Sequence, residues 1–219
     1  MIFNNQKHVF WQAFLLAAVL FIFGFLLGYA FESTNIDKIE NYYQNSEISM
    51  MDILALNDMM NLNKSTCGEM ILANIKFADR IYNEALILEK YESSGILNRN
   101  LELSHKKYDL LRTFLWIDST KAYDKCNGNF NFVVYLYNYD QEDLTLKAEQ
   151  RVWSNILYDL KQKQGGNVVL IPIAVDSNLI SLNSMVENFN IKQYPVVIIN
   201  NEQVITELSS VNDIEKYLK

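Results

Sequence analysis

The stretch that decides the fold is "IKQYPVVIINNEQVI", Ile191 to Ile205, near the end of the chain. Two β-branched runs flank Asn200-Asn201-Glu202, a pattern that predicts two strands joined by a tight turn. The chain has only two prolines, and Pro195 directly precedes the first of these runs. The stretch therefore predicts a β-hairpin that is entered through a proline.

Strands and helices alternate on both sides of this hairpin. "NFVVYLYNY" and "NVVLIPIAV" are β-branched and aromatic, as buried strands are. Helices are predicted over Leu144–Gln164, closed by Gly165-Gly166, over Leu179–Phe189, and over "VNDIEKYLK" at the C-terminus. The order βαβ-α-ββα implies a parallel strand pair with a right-handed crossover, to which the hairpin adds antiparallel strands. Residues 127–219 are thus predicted to form an α/β domain.

Residues 32–126 carry helical patterns only. Apolar side chains follow a near-heptad spacing from Ile36 to Met60, and further helices are predicted from Gly68 to Glu92 and from Leu97 to Asp124. Each helix has one apolar stripe, so we expect an antiparallel hairpin packed with a coiled-coil-like stalk. This part is either a helical spacer or a coiled-coil surface that makes an oligomer.

The beginning of the chain, residues 1–31, is predicted to be a cytoplasmic leader followed by a membrane span. Val9 to Phe31 is free of charged residues and, at about 1.5 Å per residue, reaches roughly 34 Å, enough for a hydrocarbon core of about 30 Å. Residues 9–31 are therefore predicted to contact membrane lipid. A cleaved signal peptide is the alternative, because Gly28-Tyr29-Ala30 is a small-x-small triplet.

The distribution of charge predicts the orientation of the chain in the membrane and argues against a nucleic-acid partner. Lys7 precedes the span, which favours a cytoplasmic N-terminus, a single pass and an extracytoplasmic C-terminal part at the cell membrane. The chain has 19 basic and 26 acidic residues, so it repels phosphates and no nucleic-acid partner is expected. Gly24 and Gly28 form a GxxxG spacing, which can bring two membrane helices together as a homo-oligomer.

The order of elements, with a proline immediately before the penultimate strand, resembles the minimal thioredoxin fold. The resemblance covers Asn129 to Lys219, and its most specific element is Tyr194-Pro195-Val196-Val197-Ile198, which is similar to the family's cis-proline segment. It implies a cis bond before Pro195 and an extended peptide that pairs with backbone groups at Tyr194, as in redox-active relatives. The whole layout is similar to membrane-anchored thioredoxin-like proteins of prokaryotes, notably archaea.

The family's CxxC motif is missing from its place. Asp140 to Asp143 stands there, and neither end is a cysteine. We expect Asp140 to cap the following helix and Glu142 and Asp143 to lie in its first turn, where carboxylates suit the helix dipole. The functional alternative is a cation or acid–base site made from these three acids. No histidine or calcium-loop pattern accompanies them, so no metal and no cofactor are predicted.

The two cysteines, Cys67 and Cys126, lie at the start of the second predicted helix and after the end of the third. If those helices are antiparallel, the two thiols meet, and on an oxidising face they should form a disulfide. The sequence is compatible with either a structural disulfide or a redox-active pair of cysteines.

Together these features predict a non-catalytic protein, tethered to the outer face of the cell membrane, that binds or scaffolds a protein partner through Tyr194 and Pro195. The first alternative is a thiol-disulfide oxidoreductase or redox sensor that uses Cys67 and Cys126. The second is a structural membrane stalk that oligomerises. A glycosylation sequon at Asn63 is a further prediction.

Overall fold

The computed structural model describes residues 5–62, 66–93 and 100–219, so the sequon at Asn63 lies outside the described residues. The chain divides into two compact units, Met1–Tyr42 and Tyr43–Lys219, and helix α1 contributes to both. The elements in chain order are α1 Asn5–Asn61, α2 Cys67–Ser93, α3 Asn100–Lys125, β1 Asn131–Tyr137, α4 Leu144–Gln164, β2 Val168–Ala174, α5 Ile180–Glu187, β3 Val196–Ile199, β4 Gln203–Ile205 and α6 Val211–Glu215.

The first unit contains the apolar part of α1. Val9–Tyr29 has a mean hydropathy of 2.4, and none of this stretch is buried inside the protein. It is long and apolar enough to cross a membrane. This confirms the predicted apolar helix by length and composition. A side-chain Cβ added at Gly24 or Gly28 meets nothing within 4 Å, so both glycines face open space in the single chain.

The sheet of the second unit is four-stranded and mixed, in the order β2-β1-β3-β4. β1 is parallel to β2 and antiparallel to β3, and β4 is antiparallel to β3. This is the predicted order of strands and helices. The β3–β4 turn has positive φ at Asn200 (52°) and Asn201 (57°), the left-handed conformation that asparagine tolerates better than most residues.

Helices cover both faces of the sheet. On one face, Val133 and Tyr135 pack with Trp153 and Leu157 of α4 and with Ile214 of α6. The other face, which contains the fully buried Phe132, Val134 and Leu136 of β1, is covered by α3, and α5 packs against α3. Most strand residues are therefore buried on both sides, as the apolar runs in the sequence predicted.

Within the second unit, α2 is antiparallel to α3 and to the part of α1 that follows Tyr42. Tyr108 of α3 donates a hydrogen bond to Glu84 of α2 (3.4 Å), and Ser46 of α1 bonds the same carboxylate. Met50 and Ile53, on the predicted stripe of α1, are buried.

The predicted boundary between residues 126 and 127 stays a prediction. The structure adds that α2 and α3 belong to the same compact unit as the sheet, and that α3 packs directly on β1 and β2.

Candidate functional site

The proline segment lies at the edge where β1 and β2 end. Leu136 pairs with Val196, the first residue of β3, in the antiparallel β1–β3 ladder. Tyr194 and Pro195, which precede β3 in the chain, therefore lie beside the residues that follow β1. We call this the carboxyl edge: residues 138–144, 175–180 and 192–195. The Tyr194-Pro195 bond is cis, as predicted, and Pro195 is buried. Tyr194 is half-buried, and this burial raises the pKa of its hydroxyl.

The loop that follows β1, which contains Asp140–Asp143, is held by a carboxylate from the β2 side. The backbone N–H groups of Tyr139 and Asp140 donate to the two carboxylate oxygens of Asp176, at 3.0 and 2.8 Å. Since Asp176 lies in the turn that follows β2, these two bonds join the ends of neighbouring parallel strands. The backbone of the loop is therefore fixed at the carboxyl edge.

The expectation that Asp140 caps α4 is wrong. The cap is Asp143, whose Oδ1 accepts from the backbone N–H groups of Thr145 (2.7 Å) and Leu146 (3.1 Å). Because α4 begins only at Leu144, Glu142 and Asp143 precede the first turn instead of lying in it. The physical reason is distance along the chain: an N-cap side chain reaches the N–H groups two and three residues on, and only Asp143 has that spacing.

The three acids of the loop have no geometry that supports a cation site. In the described part of the chain, no three His, Cys, Asp or Glu side chains converge as metal ligands do. One carboxylate oxygen of Asp143 already accepts the hydrogen bonds of the helix cap. The carboxyl edge therefore offers a fixed backbone and a helix start rather than a set of ligands.

Two large apolar side chains project into solvent from this edge. Leu144, the first residue of α4, is 81% exposed, and Ile180, the first residue of α5, is 85% exposed. Among the side chains whose exposure the structure describes, no other large hydrophobic one is as exposed. No local sequence pattern marks these two residues as exposed, because the burial of an apolar first-turn residue depends on how its helix packs on the rest of the protein.

Cys67 and Cys126 form a disulfide, which confirms the predicted pairing; their Cα atoms are 5.6 Å apart. The antiparallel packing of α2 and α3 brings the start of one to the end of the other. Cys126 is buried and precedes β1, so the disulfide lies toward the amino end of that strand, whereas Tyr194 lies past its carboxyl end. Seven residues of strand, about 23 Å, separate these two ends.

A cavity was missed by sequence reasoning. It lies beside β2, between α4 on one side and α2 and α3 on the other, and has a volume of about 390 Å³. Tyrosines from four elements and from the loop after β1 line it, together with His105 and Arg112 of α3. No local sequence pattern predicts such a cavity, because the residues that line it are spread along the chain from Tyr82 to Pro172.

In comparisons with known proteins, no family model, no curated protein and no solved structure matches this chain. The class of protein can therefore be described only from the fold of this chain. It is an α/β protein with a four-stranded mixed sheet between helices, preceded by one apolar helix long enough to cross a membrane.

Proposed function

We propose that this is a non-catalytic thioredoxin-like protein that binds an extended segment of a protein partner at the carboxyl edge. Residues 9–31 tether it to the cell membrane, with the N-terminus in the cytoplasm and the second unit outside. The observation that carries the proposal is the exposure of Leu144 and Ile180 at the same edge as Tyr194 and Pro195.

The fold assignment is supported by element order and strand direction. The order βαβ-α-ββα, with β1 parallel to β2 and antiparallel to β3, is that of the minimal thioredoxin fold. A proline directly before the penultimate strand, at the edge where the first strand ends, also belongs to that resemblance. In this comparison, the Asp140–Asp143 loop takes the place of the CxxC motif.

The binding step follows from surface energetics. Fully burying a leucine or isoleucine side chain that stood in water contributes about 1.5–3 kcal/mol. Leu144 and Ile180 are available for such burial, and backbone groups at Tyr194 provide the hydrogen bonds of strand addition. Because the loop backbone at Tyr139 and Asp140 is already held by Asp176, a partner binds to an ordered edge, which lowers the entropic cost of binding.

The absence of thiols at the carboxyl edge supports a binding role over redox catalysis. Both cysteines of the chain are in the Cys67–Cys126 disulfide, at the other end of β1. A partner bound at Tyr194 is thus far from both cysteine sulfurs of this protein.

The test is crosslinking mass spectrometry on intact cells that express the full chain, wild type or with Leu144→Ser and Ile180→Ser together. We expect the double substitution to reduce the crosslinks formed by residues of the carboxyl edge at least tenfold. Tyr217→Ser is the matched control. Tyr217 is also partly exposed (46%) but lies near Lys219, whose backbone N–H donates to Asn131 at the opposite end of β1.

An equal loss in the Tyr217→Ser variant, or unchanged crosslinks in the double variant, would contradict the proposal. Reduction of insulin disulfides by the purified full-length protein would do the same, and would favour the oxidoreductase alternative. If the only crosslinks seen in the wild type join copies of this chain through residues 32–126, and the double variant keeps them, the oligomerising stalk is favoured instead.

A further inference from the structure

After Tyr42, helix α1 has two apolar stripes on opposite faces. The first is buried in the second unit and contains Met50 and Ile53. The second, which we call the outer stripe, has members three or four residues apart: Ile48, Met51, Ala55, Met59 and Leu62, the last directly after the end of the helix. At 3.6 residues per turn, the outer stripe covers an arc of about 80° on the side away from Met50 and Ile53.

The outer stripe is open to solvent along its whole length. Ile48 is 64% exposed, Met51 59% and Leu62 67%, and Ala55 and Met59 are exposed as well. A contiguous apolar surface of this kind is rarely left uncovered and marks an interaction site. A spacing that alternates between three and four residues is the pattern by which one helix packs along another. The shape of the outer stripe therefore fits an α-helix.

A groove between α1 and α2 lies along one border of the outer stripe, where Asp52 is exposed. Leu72 of α2 lines this groove and is exposed, so it extends the apolar surface. The charged side chains in the walls of the groove balance, because Asp52 and Glu69 are acidic and Lys76 and Arg80 are basic. A helix on the outer stripe thus gains an apolar contact on this side without meeting a net charge.

The other border of the outer stripe is acidic. Glu47 and Asp58 are exposed there, and neither forms an ion pair among the residues that the structure describes. The sequence has no basic residue from Tyr43 to Leu62. Charges beside the apolar seam set partner choice between paired helices. A helix with Lys or Arg beside its own apolar stripe would therefore complement this border.

The same acids disfavour a second copy of this chain. Two copies paired through their outer stripes would bring Glu47, Asp52 and Asp58 of one copy towards the same acids of the other, and neither stripe contains a base. Like charges that face each other across an interface suppress the pairing. The charges therefore select a partner of opposite sign.

We propose that the outer stripe binds an amphipathic α-helix of a partner protein, one with apolar residues at heptad spacing and Lys or Arg beside them. Its apolar side chains pack on Ile48, Met51 and Leu62, and its basic side chains pair with Glu47 and Asp58. This surface is separate from the carboxyl edge and does not depend on the proposed function.

The test measures, by fluorescence anisotropy, the binding of two labelled synthetic peptides to the full chain in phosphatidylcholine nanodiscs. Both peptides are helical, with Leu at positions a and d of about three heptads, and have either Lys or Glu at positions e and g. Each peptide repels its own copies, and empty nanodiscs measure its binding to lipid. We expect the Lys peptide to bind the wild type at least tenfold more tightly than the Glu peptide.

The apolar contribution is tested by Ile48→Ser with Met51→Ser, which should weaken binding of the Lys peptide at least tenfold. The matched control is Val152→Ser with Leu208→Ser, which replaces two exposed apolar side chains outside α1 and should leave binding unchanged.

The charge contribution is tested by Glu47→Lys with Asp58→Lys. This variant should reverse the preference, so that the Glu peptide binds more tightly than the Lys peptide. Asp159→Lys with Glu207→Lys changes the net charge by the same amount at exposed positions outside α1, and should keep the preference of the wild type.

Four results would overturn the proposal. These are equal or tighter binding of the Glu peptide to the wild type, unchanged binding of the Lys peptide to a folded Ile48→Ser, Met51→Ser protein, and an equal reversal of preference in the Asp159→Lys, Glu207→Lys control. The fourth is a wild-type dimer in analytical ultracentrifugation that separates in the Ile48→Ser, Met51→Ser variant, since a second copy would then cover the outer stripe. If that variant does not fold, the ranking of the two peptides in the wild type and its reversal by Glu47→Lys with Asp58→Lys still decide.

Discussion

At the scale of single residues, Asp109 is a buried carboxyl group whose pKa is changed by its surroundings. Burial raises its pKa to about 6, although Arg112 and the backbone N–H of Ala174 (3.2 Å) both stabilise the carboxylate. The folded state therefore holds its proton more tightly than the unfolded state, where the pKa is near 3.8. The contribution of Asp109 to stability is highest below pH 4 and is lost as the pH rises to about 6.

We expect this loss to reach up to about 3 kcal/mol, since each unit of pKa shift corresponds to about 1.4 kcal/mol. The measurement is urea unfolding of the wild type and of Asp109→Asn between pH 4 and 7.5. Asparagine keeps an oxygen for Ala174 but does not titrate, so the fall in unfolding free energy with pH should be smaller in the variant. Parallel pH profiles for the two proteins would show that Asp109 is not buried as described.

At the scale of elements, the start of α4 depends on one side chain. Replacing Asp143 with alanine removes the acceptor for the N–H groups of Thr145 and Leu146. We expect the unfolding free energy to fall by about 1 kcal/mol. Asp140→Ala is the matched control, because Asp140 bonds Asp176 through its backbone N–H, which alanine retains. Its effect should stay within about 0.5 kcal/mol. Equal losses in both variants would mean that charge in this loop, and not the cap, stabilises the helix.

At the scale of the whole molecule, the Cys67–Cys126 disulfide closes a loop with a sequence separation of 59 residues. The chain-entropy model assigns about 4 kcal/mol to a loop of this length, through the restriction of the unfolded chain. We expect reduction to lower the unfolding free energy by about this amount. Cys67→Ala with Cys126→Ala should unfold like the reduced wild type and should not respond to reductant. A loss below about 1 kcal/mol would contradict a structural role for the bond.

Much of this architecture is encoded locally and could be predicted. The helix over Leu144–Gln164 and its end at Gly165 (φ 56°) follow from side-chain spacing and from the freedom of glycine, and both agree with the structure. The β3–β4 hairpin follows from its β-branched runs and its asparagine turn. The apolar helix from Val9 follows from composition alone. In each case the deciding interactions lie within a few residues, so the sequence pattern contains them.

The candidate sites were decided by tertiary structure. Asp109 and Arg112 look like surface charges of a helix, and only the packing of α3 on β2 buries them together. The cavity takes its walls from residues as distant as Tyr82 and Pro172, and no local pattern relates them. Leu144 and Ile180 look like ordinary core residues, and only the arrangement of the helices on the sheet leaves them in solvent. By itself, the sequence determined the elements and their order, because these depend on neighbours along the chain. Burial, charge pairing and exposed surface depend on neighbours in space, so only the folded structure decided them.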